Sequence, residues 1–223
     1  MQSVFVKKEK EMKKVLLIGD SIRMGYDKYV KEALKDIAEV VYPHENCQFA
    51  QFVLRHLELW KRDLELSENV DVIHWNAGLW DTLRNFDEDV LTPPEVYREF
   101  INRICKKIKR LFPNAKVIFA TSTPVLEHKF SPDSYRLNKD VREFNKIAVE
   151  ECLKYGFAID DLYAVAENFP EGYYSDCTHL RTEHGTKLMT EAVCKSVLDA
   201  LEIDAESVEL SFKFEGNSVV IGH

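Results

Sequence analysis

Val15-Leu16-Leu17-Ile18-Gly19 runs directly into Asp20-Ser21, and then into a segment where Tyr26, Tyr29, Val30, Ala33 and Leu34 recur at helical spacing. An unbroken apolar run fits a strand buried on both faces. A strand that feeds a helix through so short a turn opens a βαβ unit. The same alternation continues outward. Strands are expected at Val15 to Gly19, Glu39 to Tyr42, Val70 to Asn76, Lys116 to Thr121 and Phe157 to Ile159. Between them, apolar residues follow the 3.6 period. Tyr97, Phe100, Ile101, Ile104, Ile108 and Leu111 form one stripe, Val141, Phe144, Ile147, Ala148 and Cys152 a second, and Leu188, Ala192, Val193 and Val197 a third. Five strands joined by crossover helices give an α/β protein, a three-layer α/β/α sandwich on a doubly wound, five-stranded parallel sheet. Its ligand site belongs outside the carboxyl ends of the strands.

The 223 residues suit one domain, expected over residues 14–202. A charged segment, residues 1–13, precedes it. A tail, residues 203–223, follows, in which Val208 to Phe214 alternates, Glu215-Gly216-Asn217 supplies turn residues and Ser218 to Ile221 resumes a strand pattern. That tail reads as a β-hairpin extension. With 30 Lys plus Arg against 38 Asp plus Glu, the net charge is −8, and no Lys/Arg-rich block is registered. Nucleic acid and anionic membranes are therefore not expected partners, because phosphate binding needs clustered positive charge. Five cysteines without CxxC spacing read as free thiols of a reducing compartment. The absence of a signal-like segment or of a long apolar stretch gives cytoplasm as the expected location.

Candidate chemistry gathers at the carboxyl edge of the expected sheet. Ser21 follows the first strand, where the amides of a helix N-terminus stand ready to stabilise negative charge. The alternative reading of Asp20-Ser21 is a helix cap after a strand, which α/β proteins use everywhere. The turn is not a G-x-S-x-G elbow, because Arg23 stands where the last glycine belongs. Asp176-Cys177-Thr178-His179 precedes the last helix, and a carboxylate three residues from an imidazole can orient it as a base. Glu45-Asn46-Cys47 follows the second strand, and Asn76-Ala77-Gly78-Leu79-Trp80-Asp81 ends the central one. The polar connection Ser122 to Asn138, with His128, Phe130, Tyr135 and Arg136, is long enough to serve a site and is read as one wall of it. Trp80 and Arg84 are read as the other. His74 lies within an expected buried strand, where its default role is that of a core histidine with a polar partner.

Taken together these blocks resemble the SGNH, or GDSL, hydrolase superfamily over about residues 14–202. Gly19-Asp20-Ser21 looks like its first block and Asp176-Cys177-Thr178-His179 like its last. Thr121 to Val125, with Arg136-Leu137-Asn138 and Asn145, is similar to its loop and fourth-strand region. The resemblance implies a flavodoxin-like fold and a serine esterase with Ser21 as nucleophile, His179 as base and Asp176 as its orienting acid. It implies a small-molecule ester, an acetylated sugar or similar alcohol, as substrate, and no metal or organic cofactor.

Two blocks depart from the pattern. Cys47 stands where a glycine amide normally lines the oxyanion hole, and aligning the G-x-N-D block on Gly78 and Asp81 puts Trp80 in place of the amide residue. The oxyanion donors are accordingly expected to be the backbone N–H groups of Ser21 and Cys47 with the Asn76 side chain. Asn46, Trp80, Arg84 and His128 are expected to contact substrate. A non-catalytic binding protein on the same fold, or a thioesterase or lysophospholipase, are the alternatives.

Overall fold

The computed structural model describes residues 12–216. Its central sheet is built from β1 (Lys13–Ile18), β2 (Ala38–Val41), β3 (Val72–Trp75), β5 (Lys116–Ala120) and β7 (Ala158–Asp160), in the order β2-β1-β3-β5-β7. All four pairings are parallel. Each of the five expected strands is present. The order reverses between β1 and β3, the switch point at which open α/β sheets bind ligands.

Alternation along the strands divides the core. Leu16 and Ile18 of β1 face the layer formed by α2 (Ala50–Asp63), α3 (Pro94–Leu111) and α4 (Asn138–Leu153). Val15 and Leu17 face the layer of α1 (Arg23–Ala33), the short α5 (Leu162–Ala166) and α6 (Glu183–Ala200). Because successive side chains point to opposite faces, an all-apolar strand is what a two-sided sheet requires. The α3 stripe is buried at Tyr97, Ile101, Ile104 and Ile108, and the α4 stripe throughout. On α6 the buried face is rotated from the expected one. It runs through Met189, Val193, Cys194, Val197 and Leu198, with Thr186 and Thr190 also inside, while Leu188 and Ala192 are only partly covered. The two threonines carried no apolar signal; Thr190 satisfies its hydroxyl on the Thr186 carbonyl at 2.8 Å.

His74, fully buried on β3, meets Asp160 of β7 at 2.9 Å, the polar partner expected for a core histidine. The five cysteines are free thiols. Among the described residues no helix is long and apolar enough to cross a membrane.

Three features differ from the sequence reading. A two-stranded antiparallel ribbon, β4 (Arg84–Asn85) with β6 (Ser134–Tyr135), joins the loop after β3 to the loop after β5. Strands of two residues leave no periodic signal. In the tail, 208–216 forms no strand. Its alternation instead seats every second residue against helices, with Phe212 and Phe214 on the Tyr29 ring and Lys28 Nζ and Tyr29 Oη donating to the Gly216 carbonyl. The second arm expected at 218–221 lies outside the described residues. Finally, α3 does carry a basic block. Arg103, Lys106, Lys107 and Arg110 line a groove of about 600 Å³ together with Arg55 of α2, and Glu58 pairs with only two of them, Lys107 and Arg110.

Candidate active site

The turn after β1 is braced from within. Asp20 Oδ1 accepts the Ile22 N–H at 2.8 Å, and the Met24 N–H reaches the Asp20 carbonyl at 3.2 Å. A side chain at position 19 would put its Cβ 2.7 Å from that of Arg23, so the close approach of turn and helix requires glycine. Arg23, 1% exposed, explains why a second glycine is not needed at its position. Its guanidinium pairs with Asp27 and donates to the Gly19 carbonyl at 3.3 Å and the Glu45 carbonyl at 2.7 Å, lacing the turn to the loop after β2. Burial raises the Asp20 carboxyl above its usual range, against the Ile22 hydrogen bond and the nearby charges of His179, Arg136 and Arg23.

The second half of the site is a closed turn before α6. Asp176 Oδ1 accepts the backbone N–H groups of Thr178 at 2.7 Å and His179 at 2.8 Å. Ser175 closes the loop by donating its N–H to the His179 carbonyl at 2.8 Å. Thr182 caps α6, accepting from Gly185 N–H at 3.3 Å and donating to the Tyr173 carbonyl at 2.9 Å. Gly185 lies so close beneath this turn that a Cβ would stand 2.4 Å from the Tyr173 oxygen. The helix therefore fixes the height of the turn above the sheet edge.

Between the halves, Ser21 Oγ lies 2.8 Å from His179 Nε2, and His179 Nδ1 lies 2.7 Å from Asp176 Oδ2. An ionised carboxylate only accepts, so the proton on this side belongs to Nδ1 and Nε2 is left as the acceptor for the Ser21 hydroxyl. Asp176 stays ionised. Against the upward push of its partial burial, the hydrogen bonds from His179 and from the two backbone N–H groups hold its carboxyl down at about 2. Arg181 Nη2 donates to the Ser21 carbonyl at 2.8 Å and joins the two turns from behind. No spacing in the sequence marks a bond between residues 160 positions apart.

The expected oxyanion set needs correction. The Asn76 amide donates to the Ala120 carbonyl at 2.7 Å and contacts Ser122 Oγ at 3.4 Å, so its N–H groups are committed to the neighbouring strand end. The Cys47 N–H is committed as well, to the Gly19 carbonyl at 3.2 Å. Asn46 lies between the two links that sew this loop to the turn after β1. Its Oδ1 accepts from Gln48 N–H at 2.9 Å, while its Nδ2 and its backbone N–H have no partner among the described residues. The Ser21 N–H is likewise without one.

Two of the expected substrate contacts are also spent. Arg84 forms a forked pair with Asp140, at 2.8 and 3.3 Å, and so ties the ribbon to α4. His128 is exposed on a short helical turn and meets Glu171 at 3.1 Å. Trp80 is partly buried, and its indole N–H has no partner among the described residues.

Asp81, the residue compared in sequence with the end of a G-x-N-D block, is fully buried and caps α2 by accepting the Ala50 N–H at 3.0 Å. Burial pushes its carboxyl up to about 7, above an unfolded value near 3.9. Between those values the folded chain holds more protons than the unfolded one, so this group costs stability as pH rises toward 7. Asp81→Asn is expected to keep the cap acceptor and to remove that fall, which urea unfolding at pH 5 and pH 8 measures; an unchanged pH slope contradicts it.

No family model matches the chain, and no curated protein matches it. Solved structures do. The chain is similar to a lipase/acylhydrolase from Enterococcus faecalis, with a TM-score of 0.65 at 18% identity, covering 91% of this chain and all of that one. It is similar to the acetylxylan esterase Axe2 from Geobacillus stearothermophilus, with a TM-score of 0.63 at 15% identity over 86% and 95% of the two chains. A member of the lipolytic G-D-S-L family from Veillonella parvula aligns with a TM-score of 0.60 at 18% identity over 82% and 96%. At such identities the likeness is one of architecture, and it agrees with the sheet order and with the placing of Gly19-Asp20-Ser21 at the switch point: the chain has the fold of the SGNH, or GDSL, hydrolases.

Proposed function

We propose that the protein is a serine esterase that hydrolyses its substrate through an acyl-enzyme. The observation that carries this reading is the continuous chain Ser21 Oγ, His179, Asp176, with links of 2.8 and 2.7 Å, at the carboxyl edge of the sheet. Ser21 Oγ attacks the ester carbonyl while its proton passes to His179 Nε2. The imidazolium, steadied by Asp176, returns that proton to the departing alcohol. Water then repeats the sequence on the acyl-enzyme, releasing the acid and restoring Ser21.

The developing oxyanion is received by N–H groups without a partner in the resting site: the backbone of Ser21 and, from the loop after β2, Asn46. A small acyl group suits the site. The void lined by Ser21, Gly25, Tyr26, His179 and Met189 has no space that a water would enter, so the acyl chain stays at the mouth. An acetyl ester of a sugar or similar alcohol is the favoured substrate class, in keeping with the acetylxylan esterase among the similar structures.

A fluorophosphonate probe tests this reading directly, because it labels an activated serine and ignores an inert one. Labelling is expected at Ser21, together with faster hydrolysis of p-nitrophenyl acetate than of the octanoate. Folded protein that takes up no probe and turns over no ester would establish instead a binding protein on this fold.

A further inference from the structure

One cation of the candidate site takes no part in the triad. Arg136 follows β6, so the ribbon and the Arg84–Asp140 pair fix the backbone that carries it. Its Nε donates to the Leu79 carbonyl at 2.6 Å, one residue before Trp80. That bond anchors the guanidinium by one edge. Its two Nη groups have no hydrogen-bond partner among the described residues, and no carboxylate there forms an ion pair with it.

Leu79, whose carbonyl the guanidinium holds, lines a small void together with Asp20 and Ile22 of the turn that carries Ser21. Asp20 adjoins the nucleophile, and its carboxyl is near enough to act on the guanidinium. The guanidinium is thus held near the half of the triad that carries Ser21. Asp20 does not pair with it: its Oδ1 is used by Ile22, and its Oδ2 is buried without a partner. Arg23 and Arg84 differ from Arg136 in that each closes on a carboxylate, Asp27 and Asp140. A partly buried cation without one carries a desolvation cost that the Leu79 carbonyl and the Asp20 charge offset only in part.

We propose that Arg136 is a specificity residue whose free Nη edge receives a carboxylate of the substrate, so that the site favours esters bearing an acid near the scissile bond. The proposal rests on the esterase reading above and narrows its substrate class to acidic esters. A planar guanidinium held at Nε presents its Nη pair in fixed orientation, which suits a forked contact with a carboxylate.

The acid can belong to either side of the ester, and two substrate pairs distinguish the cases. On the acyl side, p-nitrophenyl hemiglutarate is compared with p-nitrophenyl butyrate. On the alcohol side, acetylated glucuronic acid is compared with acetylated methyl glucoside. The acidic member of one pair is expected to have the higher kcat/KM, by about 10- to 100-fold, the range of a hydrogen-bonded contact to a charged group. In Arg136→Gln that ratio should fall toward one, and Arg136→Lys should keep part of it. The wild-type ratio alone tests the proposal should a variant fold poorly.

A ratio near one in both pairs, with neutral esters still hydrolysed, overturns the role of Arg136 and leaves the esterase intact. A wild-type preference that Arg136→Gln leaves unchanged also overturns it. Failure to hydrolyse any of the four esters, with no fluorophosphonate uptake at Ser21, overturns both readings.

Discussion

Ser21→Ala and His179→Ala are each expected to lower kcat by roughly 10⁶, and the double variant to lose little more than either alone. The Ser21 hydroxyl has one recorded partner, His179 Nε2, and the imidazole has no role between Ser21 and Asp176 other than to connect them. Removing His179 leaves Ser21 with no acceptor for its proton, and removing Ser21 leaves His179 with no proton to take. Losses in such a unit do not multiply. The fold should tolerate both changes. The bond from Arg181 to position 21 uses the backbone carbonyl, and the turn around residue 179 is closed by backbone groups that alanine retains. Initial rates with p-nitrophenyl acetate give the kcat values, and thermal unfolding of the same samples reports the fold. Two large losses that multiplied in the double variant would mean that serine and histidine act separately, and the assignment would be wrong.

Much of this site was legible because its parts depend on short-range pattern. Val15 to Ile18 is buried on both sides and so reads as a central strand, and a strand of that kind places the next turn at the carboxyl edge. Asp176 and His179 are neighbours in one closed turn, so their pairing follows from the chain itself. What resisted reading were bonds set by tertiary neighbours. Asn76 has the right chemistry for an oxyanion donor, but the Ala120 carbonyl on the adjacent strand takes its N–H, and only the register of β3 with β5 decides that. The Cys47 N–H is claimed in the same way by Gly19. Arg84 and Arg136 are equally plausible substrate contacts in sequence. They are separated by the position of one carboxylate, Asp140, which α4 presents to Arg84. The tail was hard to read for a related reason: a period of two records which side of an extended chain is covered, and over residues 208–216 the cover includes Tyr29 and its helix.

Asp176→Asn is expected to leave a folded protein that has lost up to about 10⁴ in kcat, the scale of this change in other Ser-His-Asp systems. The substitution is nearly isosteric, and the amide oxygen can still accept the N–H groups of Thr178 and His179 that close the turn. What changes is the atom facing His179 Nδ1. An amide nitrogen there donates where the carboxylate accepted, so the imidazole carries its proton on Nε2 and presents a donor to Ser21 Oγ in place of a lone pair. The serine then has no base within reach, although every heavy atom stays in place. A second loss accompanies the first, because the imidazolium formed during attack no longer faces a negative charge. Stability should respond in a different pH range. The Asp176 carboxyl is held at about 2 in the fold against about 3.9 in the unfolded chain. It therefore stabilises the fold above pH 4, and that contribution fades as pH falls toward 2, a slope that Asp176→Asn removes. Fluorophosphonate labelling provides the independent readout: its rate at Ser21 should drop alongside kcat, since both require the same deprotonation. A variant that labels and turns over at the wild-type rate would show that Asp176 serves only to shape the turn, and would remove it from the catalytic set.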